Sequence, residues 1–280
     1  MALCAVIITS NNAFADEDNN ENNQAPLRSY NTNVSGNFNV KTWLTSNSVD
    51  QFITLNTAGN NKSFINSKQA MTMIGLESNY WFGFITQNQL WTLGPQFGVG
   101  FDFAYGKNSF SNVSVSSDQP VTADLITYLL DISFVKLALL HDEKMSKYIA
   151  LTGHYISYSN SLSGSSPLNG LGVGIDSQYN FDDIADLNFK LNYIPSASSI
   201  RLPNAWGAQS ELGLKWFLSP RAAVNVSYKA IYFNGTTSGQ ANVPTGTTGA
   251  NGQQQTTPVS FNINLSDILH GLNIGASYYF

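Results

Sequence analysis

A period of two, repeated along the chain, is the feature that most limits what this sequence can fold into. From Gly170 to Phe181, Leu171, Val173, Ile175, Tyr179 and Phe181 share one face, while Gly172, Gly174, Asp176, Gln178 and Asn180 share the other. After Asp182 to Ala185, Leu187, Phe189, Leu191 and Tyr193 alternate with Asn188, Lys190 and Asn192. The same pattern runs through Leu93 to Tyr105, Trp206 to Leu218 and Ala222 to Tyr232. Successive side chains point to opposite faces of a strand, whereas a helix repeats every 3.6 residues. These segments are therefore strands. Polar residues interrupt every apolar run well short of the roughly 18 residues a membrane helix needs.

Composition says where such strands fit. Charged residues make up only 11% of the chain, yet aromatic residues reach 12%, and Asn, Ser, Thr, Gly and Gln take the place of the missing charges. Few charges with many aromatics suit a wall that faces lipid outside and confined water inside. A closed barrel is the one alternative to helices that satisfies every backbone hydrogen bond in lipid. The expected fold class is all-β: a transmembrane, up-and-down antiparallel β-barrel. Less regular strands over Gly36 to Thr45, Ala70 to Phe84, Val121 to Leu139, Lys147 to Tyr158 and Leu272 to Phe280 bring the count to about ten, with eight or twelve as alternatives. An extension of the last strand back to Val259 changes parity at Ser266-Asp267, which predicts a bulge there.

The ends of the chain carry further information. Leu3 to Ile8 is a short apolar run followed by Ala13-Phe14-Ala15 and then an acidic, Asn-rich stretch. This is the pattern of a signal peptide cleaved after Ala15, although no Lys or Arg precedes the run, which points to a start further upstream or an atypical signal. The expected division is signal peptide 1–15, N-terminal tail 16–35 and barrel 36–280. Cys4 falls in the removed part, leaving a mature chain without thiols. At the other end, Leu272, Ile274, Ala276, Tyr278 and Phe280 form one apolar face ending on an aromatic residue. This ending resembles the insertion signature of bacterial outer-membrane β-barrel proteins. The resemblance implies insertion by the barrel-assembly machinery, a setting among outer-membrane lipids, and a barrel of porin-like type. Trp81, Trp91, Trp206 and Trp216 near strand ends fit interfacial aromatic girdles.

Connection lengths agree with that class. Counting back from the C-terminus, long connections (Asn234 to Pro258, Pro195 to Asn204, Asn160 to Asn169, Gly106 to Pro120, Ser46 to Gln69) alternate with short ones (Ser219 to Arg221, Asp182 to Ala185, Leu140 to Ser146, Ile85 to Trp91). Barrels of this kind place short turns in the periplasm and long loops outside. Both termini are then expected in the periplasm, and the strand number is even.

Strand parity also assigns an inner face. Lys41, Glu77, Asp102, Asp131, Asp176, Lys190, Glu211, Lys215 and Lys229 are expected to line the lumen. Two readings follow: a narrow polar channel, or charges that cross-link a filled interior. Gly94, Gly98, Gly100, Gly170, Gly172, Gly174 and Gly213 on the inner face suggest either free space or strand curvature. With a net charge of -5, the chain lacks the basic face that nucleic acid demands.

No catalytic site, metal site or cofactor is expected. His141 lies in a turn and His270 at the start of the last strand. The segment from His154 to Asn160 faintly resembles the His-x-Ser-Asn element of outer-membrane lipid A deacylases and phospholipases, but Ser157 stands where the His belongs. His154 and Ser159 differ in parity, so His154 is expected as an inward polar residue and the chain as no enzyme. The leading functional expectation is a porin-like passive route for small polar solutes. The alternative is a plugged structural or adhesin-type barrel acting through its external loops.

Overall fold

The computed structural model describes residues 34–55, 62–82, 96–115, 121–141, 146–161, 167–182, 184–199, 204–248 and 254–280. The expected signal peptide, nearly all of the expected tail, and Trp91 and Gly94 lie outside them. The strands are β1 (Val34–Leu55), β2 (Lys62–Phe82), β3 (Gln96–Val115), β4 (Val121–His141), β5 (Tyr148–Asn160), β6 (Leu168–Phe181), β7 (Ala185–Ser198), β8 (Ala205–Ser219), β9 (Ala222–Thr248) and β10 (Gln254–Tyr279). Each pairs antiparallel with its neighbours in sequence, and β10 pairs with β1, closing the barrel at ten strands.

Closure is continuous from Asn37↔Tyr279 to Leu55↔Phe261. At its end Gly36 and Phe280 exchange backbone hydrogen bonds, Gly36 N–H to Phe280 O at 3.3 Å and Phe280 N–H to Gly36 O at 3.2 Å. A Cβ on Gly36 would lie 2.6 Å from the Phe280 ring, so a larger residue there would push the terminal aromatic aside. The β6–β7 hairpin turns at Asp182, whose φ of 48° is a conformation Asp tolerates better than most residues.

The outward positions form a belt of large apolar side chains at the end of the barrel that holds Phe280, here called the near end. It includes Phe38, Val40, Phe101, Val173, Phe189, Leu214, Val226, Ile274 and Tyr278, all exposed. A closed barrel with such a belt is built to sit in lipid. Toward the opposite, far end the outward face turns polar: Asn234, Thr236, Ser238 and Gln240 follow Tyr232 on β9, and Ser266, Asn264, Asn262 and Ser260 continue β10. Of the expected girdle residues, Trp206 and Trp216 face outward, with Trp206 packed on Tyr232 at 5.2 Å. Trp81 instead points inward and is buried.

The far connections differ from expectation. β1 runs to Leu55 and β2 starts at Lys62, β3 runs to Val115 and β4 starts at Val121, and β9 runs to Thr248 with β10 starting at Gln254. Most of what the composition marked as long loops is paired strand. Gly and Asn are poor strand formers alone, but a wall already in register extends them. The extension is uneven: β9, β10 and β1 to β4 have 20 to 27 residues, against 13 to 15 for β5 to β8. One wall therefore rises above the other. Pairing of β8 with β9 stops at Ala205↔Gly235.

Register shifts in β4 went unforeseen, and one foreseen bulge is absent. In β4 the register with β5 shifts between Ser133 and Val135 and again between Ala138 and Leu140. Phe134 with Val135, and Leu139 with Leu140, consequently face lipid in consecutive pairs. The β9–β10 register runs unbroken through Ser266 and Asp267, contrary to the expected bulge.

Candidate functional site

Strand parity turns Lys41, Glu77, Asp102, Asp131, Asp176 and Lys229 into the lumen, each buried, together with the partly buried Lys190, Glu211 and Lys215. Five of these nine form one chain of ion pairs across the barrel. Glu77 on β2 accepts from Lys190 on β7 and from Lys41 on β1 at 3.4 Å. Lys41 also reaches Asp102 on β3 at 2.8 Å, and Asp102 accepts from Lys229 on β9. The sequence Lys190, Glu77, Lys41, Asp102, Lys229 thus ties opposite walls together. Asn39 and Asn79 each donate to Glu77 at 3.3 Å, and the Lys229 ammonium lies 5.6 Å from the Trp43 ring centre.

The other four stand apart. Asp176 pairs with Lys136, a lysine that alternation did not predict inside because the bulge at Phe134 reverses the parity of β4. Lys136 also donates to Asn79 at 2.9 Å and sits 5.0 Å from the Trp81 ring centre. Glu211 accepts from Ser227 at 2.7 Å, and Lys215 lies 6.0 Å from the Tyr279 ring centre. Asp131 is 3.1 Å from His154 Nδ1, which is also 3.2 Å from Ser133 Oγ, while Thr152 Oγ1 is 2.6 Å from Nε2. His154 is therefore inward and enclosed, and Ser159 lies on the opposite face of β5. Among the described residues no cluster of three or more His, Cys, Asp or Glu is arranged to hold a metal.

Space between these groups is small. A cavity of about 50 Å³ lies among Asn39, Glu77, Lys190, Glu211, Lys215 and Tyr279, and one of about 20 Å³ beside Asp131, Ser133 and His154. Both have room for ordered water, which polar cavities of this size hold. The inward glycines open no channel: a Cβ on Gly98 would lie 2.7 Å from the Trp81 ring and from Tyr80 O.

Beyond the ion pairs, toward the far end, the lumen becomes apolar. A single cluster of buried side chains takes residues from every strand: Trp43 and Val49, Met71 and Met73, Ala104, Leu125 and Leu129, Ile156 and Tyr158, Leu168, Ile194 and Ala197, Ala205, Ile231 and Phe233, Leu265 and Leu269. Tyr158 stacks on Phe233 with centroids 5.1 Å apart. One polar knot is set into this layer. Asp267 accepts from the Tyr158 hydroxyl at 3.0 Å, and from Asn47 and Asn160 amides at 3.2 Å each. Sequence reading missed this layer because its residues occupy the face assigned to the polar lumen.

The apolar face of β10 expected as an insertion signature is placed outward: Leu272, Ile274, Tyr278 and Phe280 are exposed, as is Ala276.

No protein-family model matches the chain, and no curated protein does. Among solved structures, the outer membrane protease OmpT of Escherichia coli superposes with a TM-score of 0.56 at 12% identity, covering 88% of this chain and 97% of that one. OmpT of Vibrio cholerae (12% identity, 91% and 100% covered) and Ail of Yersinia pestis (11%, 86% and 99%) overlay loosely, with TM-scores of 0.28 and 0.26. At such identities the likeness speaks for architecture alone. The fold of this chain is that of a bacterial outer-membrane β-barrel.

Proposed function

We propose that this chain is a closed barrel of the bacterial outer membrane, with both termini in the periplasm, that acts through the exposed surface of its tall far rim. The observation that supports this reading is the apolar layer to which all ten strands contribute, stacked on the ion pairs that tie Lys190 to Lys229 across the lumen. A passive route for small polar solutes needs continuous water. An apolar constriction tends to dewet and so to close such a path. The porin-like reading is accordingly ranked second to the plugged one.

With the lumen filled, the rim is the surface left for contact with the outside. From Ala230 to Ser266 the chain carries no charged residue, and its described outward side chains are Asn, Ser, Thr and Gln, with Pro258, beyond Tyr232 on β9 and Ile268 on β10. Such a surface offers hydrogen bonds without a strong field, which suits attachment to glycans or protein surfaces. In this reading His154 is structural and the barrel has no catalytic role.

The test is to display the full chain and a variant in which residues 237–263 are replaced by an Asn-Gly turn, which suits a two-residue hairpin. Thr236 and Asn264, partners in the register, would then flank the turn. Cells carrying the full chain should adhere to glycan- or protein-coated surfaces, and the variant should fold yet lose adherence. Equal adherence by both would refute the rim as the acting surface.

A further inference from the structure

The lipid-facing wall has one notch. At the far edge of the belt, where neighbouring outward positions carry Leu44, Ile74 and Tyr105, β1 and β2 present only Ser46, Ala70 and Thr72. The register places Ser46 between His270 of β10 and Ala70 of β2, so small residues form a continuous floor. Tyr228 and His270 make one side, with the Tyr228 hydroxyl 2.7 Å from His270 Nδ1, and Lys107 of β3 makes the other. The resulting groove has a volume of about 580 Å³ and opens on the outer surface.

Charge is concentrated at the same place. Among the described side chains, Lys68 and Lys107 are the outward-facing cations at the far edge of the belt. Lys68 follows Ala70 toward the far end on the same face of β2. Asp50, further along β1, is an exposed carboxylate of this region. Of the other lysines whose side chains are described, all but Lys147, at the near end, face the lumen. Long cationic side chains at a membrane edge keep their stems on apolar surface and their heads among headgroups.

We infer that this notch binds an anionic lipid of the surrounding leaflet, its acyl chain over Ser46, Ala70 and Thr72 and its phosphate between Lys68, Lys107 and His270. The apolar belt continues directly below the groove, so a lipid enters sideways from the bilayer. A basic side chain at a membrane surface contributes about fivefold to the retention of an anionic lipid.

The experiment reconstitutes the full chain into nanodiscs of equal phosphatidylcholine and phosphatidylglycerol and counts retained lipids by native mass spectrometry. Phosphatidylglycerol should be retained selectively. Lys68→Gln and Lys107→Gln should each reduce that selectivity about fivefold, and Lys147→Gln should leave it unchanged. Ala70→Phe, which fills the groove while keeping its cations, should abolish retention. All four changes point outward, and each variant is checked for the heat-modifiable gel mobility of a folded barrel. Equal retention of the two lipids, an unaffected Ala70→Phe variant, or full displacement by inorganic phosphate would overturn the inference, the last by identifying a phosphate site rather than a lipid site.

Discussion

The near and far halves of this barrel share one wall but invert its chemistry. In the near half the outward positions are apolar and the inward ones include the charges Lys41, Glu77, Asp102, Asp176 and Lys190. In the far half the outward positions are Ser266, Asn264, Thr236 and Ser238, and the inward ones are Leu265, Leu269, Ile231 and Phe233. The near half is organised as a membrane barrel and the far half as a water-soluble one, whose apolar side chains belong inside. A strand that leaves lipid for water must exchange its faces. This explains Ser266-Asp267, where the change in hydrophobic pattern suggests a bulge and the backbone has none.

The two halves also fill the lumen by different physics, and substitutions can separate them. The largest effect is expected from Lys41→Met, which leaves Glu77 and Asp102 each short of a cation. Breaking a buried pair in this way costs about 3–5 kcal/mol, to be read as a fall in unfolding midpoint of the reconstituted barrel. In the far half, Leu269→Ala removes a fully buried side chain, and such truncations cost about 2–5 kcal/mol. Because the bulk lies in the plug, this variant should also be the one that begins to admit ions. Tyr158→Phe removes two short contacts to Asp267, and losing a hydrogen bond to a buried group costs about 1–3 kcal/mol. Ser238→Ala, outward on the far rim, should stay within about 0.5 kcal/mol. If Ser238→Ala matched Leu269→Ala in cost, the contrast between a packed interior and a solvated rim would fail.

How far the sequence carried depends on the same inversion. Alternation located the strands and their closure, because the belt keeps Leu171 to Phe181, broken only at Ser177, and Leu272 to Phe280 in period two. The nine charges that parity reads as inward are buried or partly buried in the structure. Alternation did not find Lys136, since the double outward pair Phe134 and Val135 shifts parity by one, and a bulge leaves no residue-type signature in a run as apolar as Ile132 to Leu140. Nor did it find the plug. Trp43, Ile156 and Leu269 look like errors in a polar face when every strand is assumed to lie in lipid. A reading that allowed the apolar face to switch sides at Ser46, Asn234 and Ser266 would have recovered Val49 and Leu265, and would have turned the supposed long loops into wall.

The central claim is that the lumen is closed, and conductance across a planar bilayer tests it most directly. The refolded chain should be silent at moderate voltage, while a Phe233→Ala/Leu269→Ala variant, shown to be folded, should give discrete openings that Lys190→Ala alters. Steady openings from the unaltered chain would contradict the account and restore the passive-route reading.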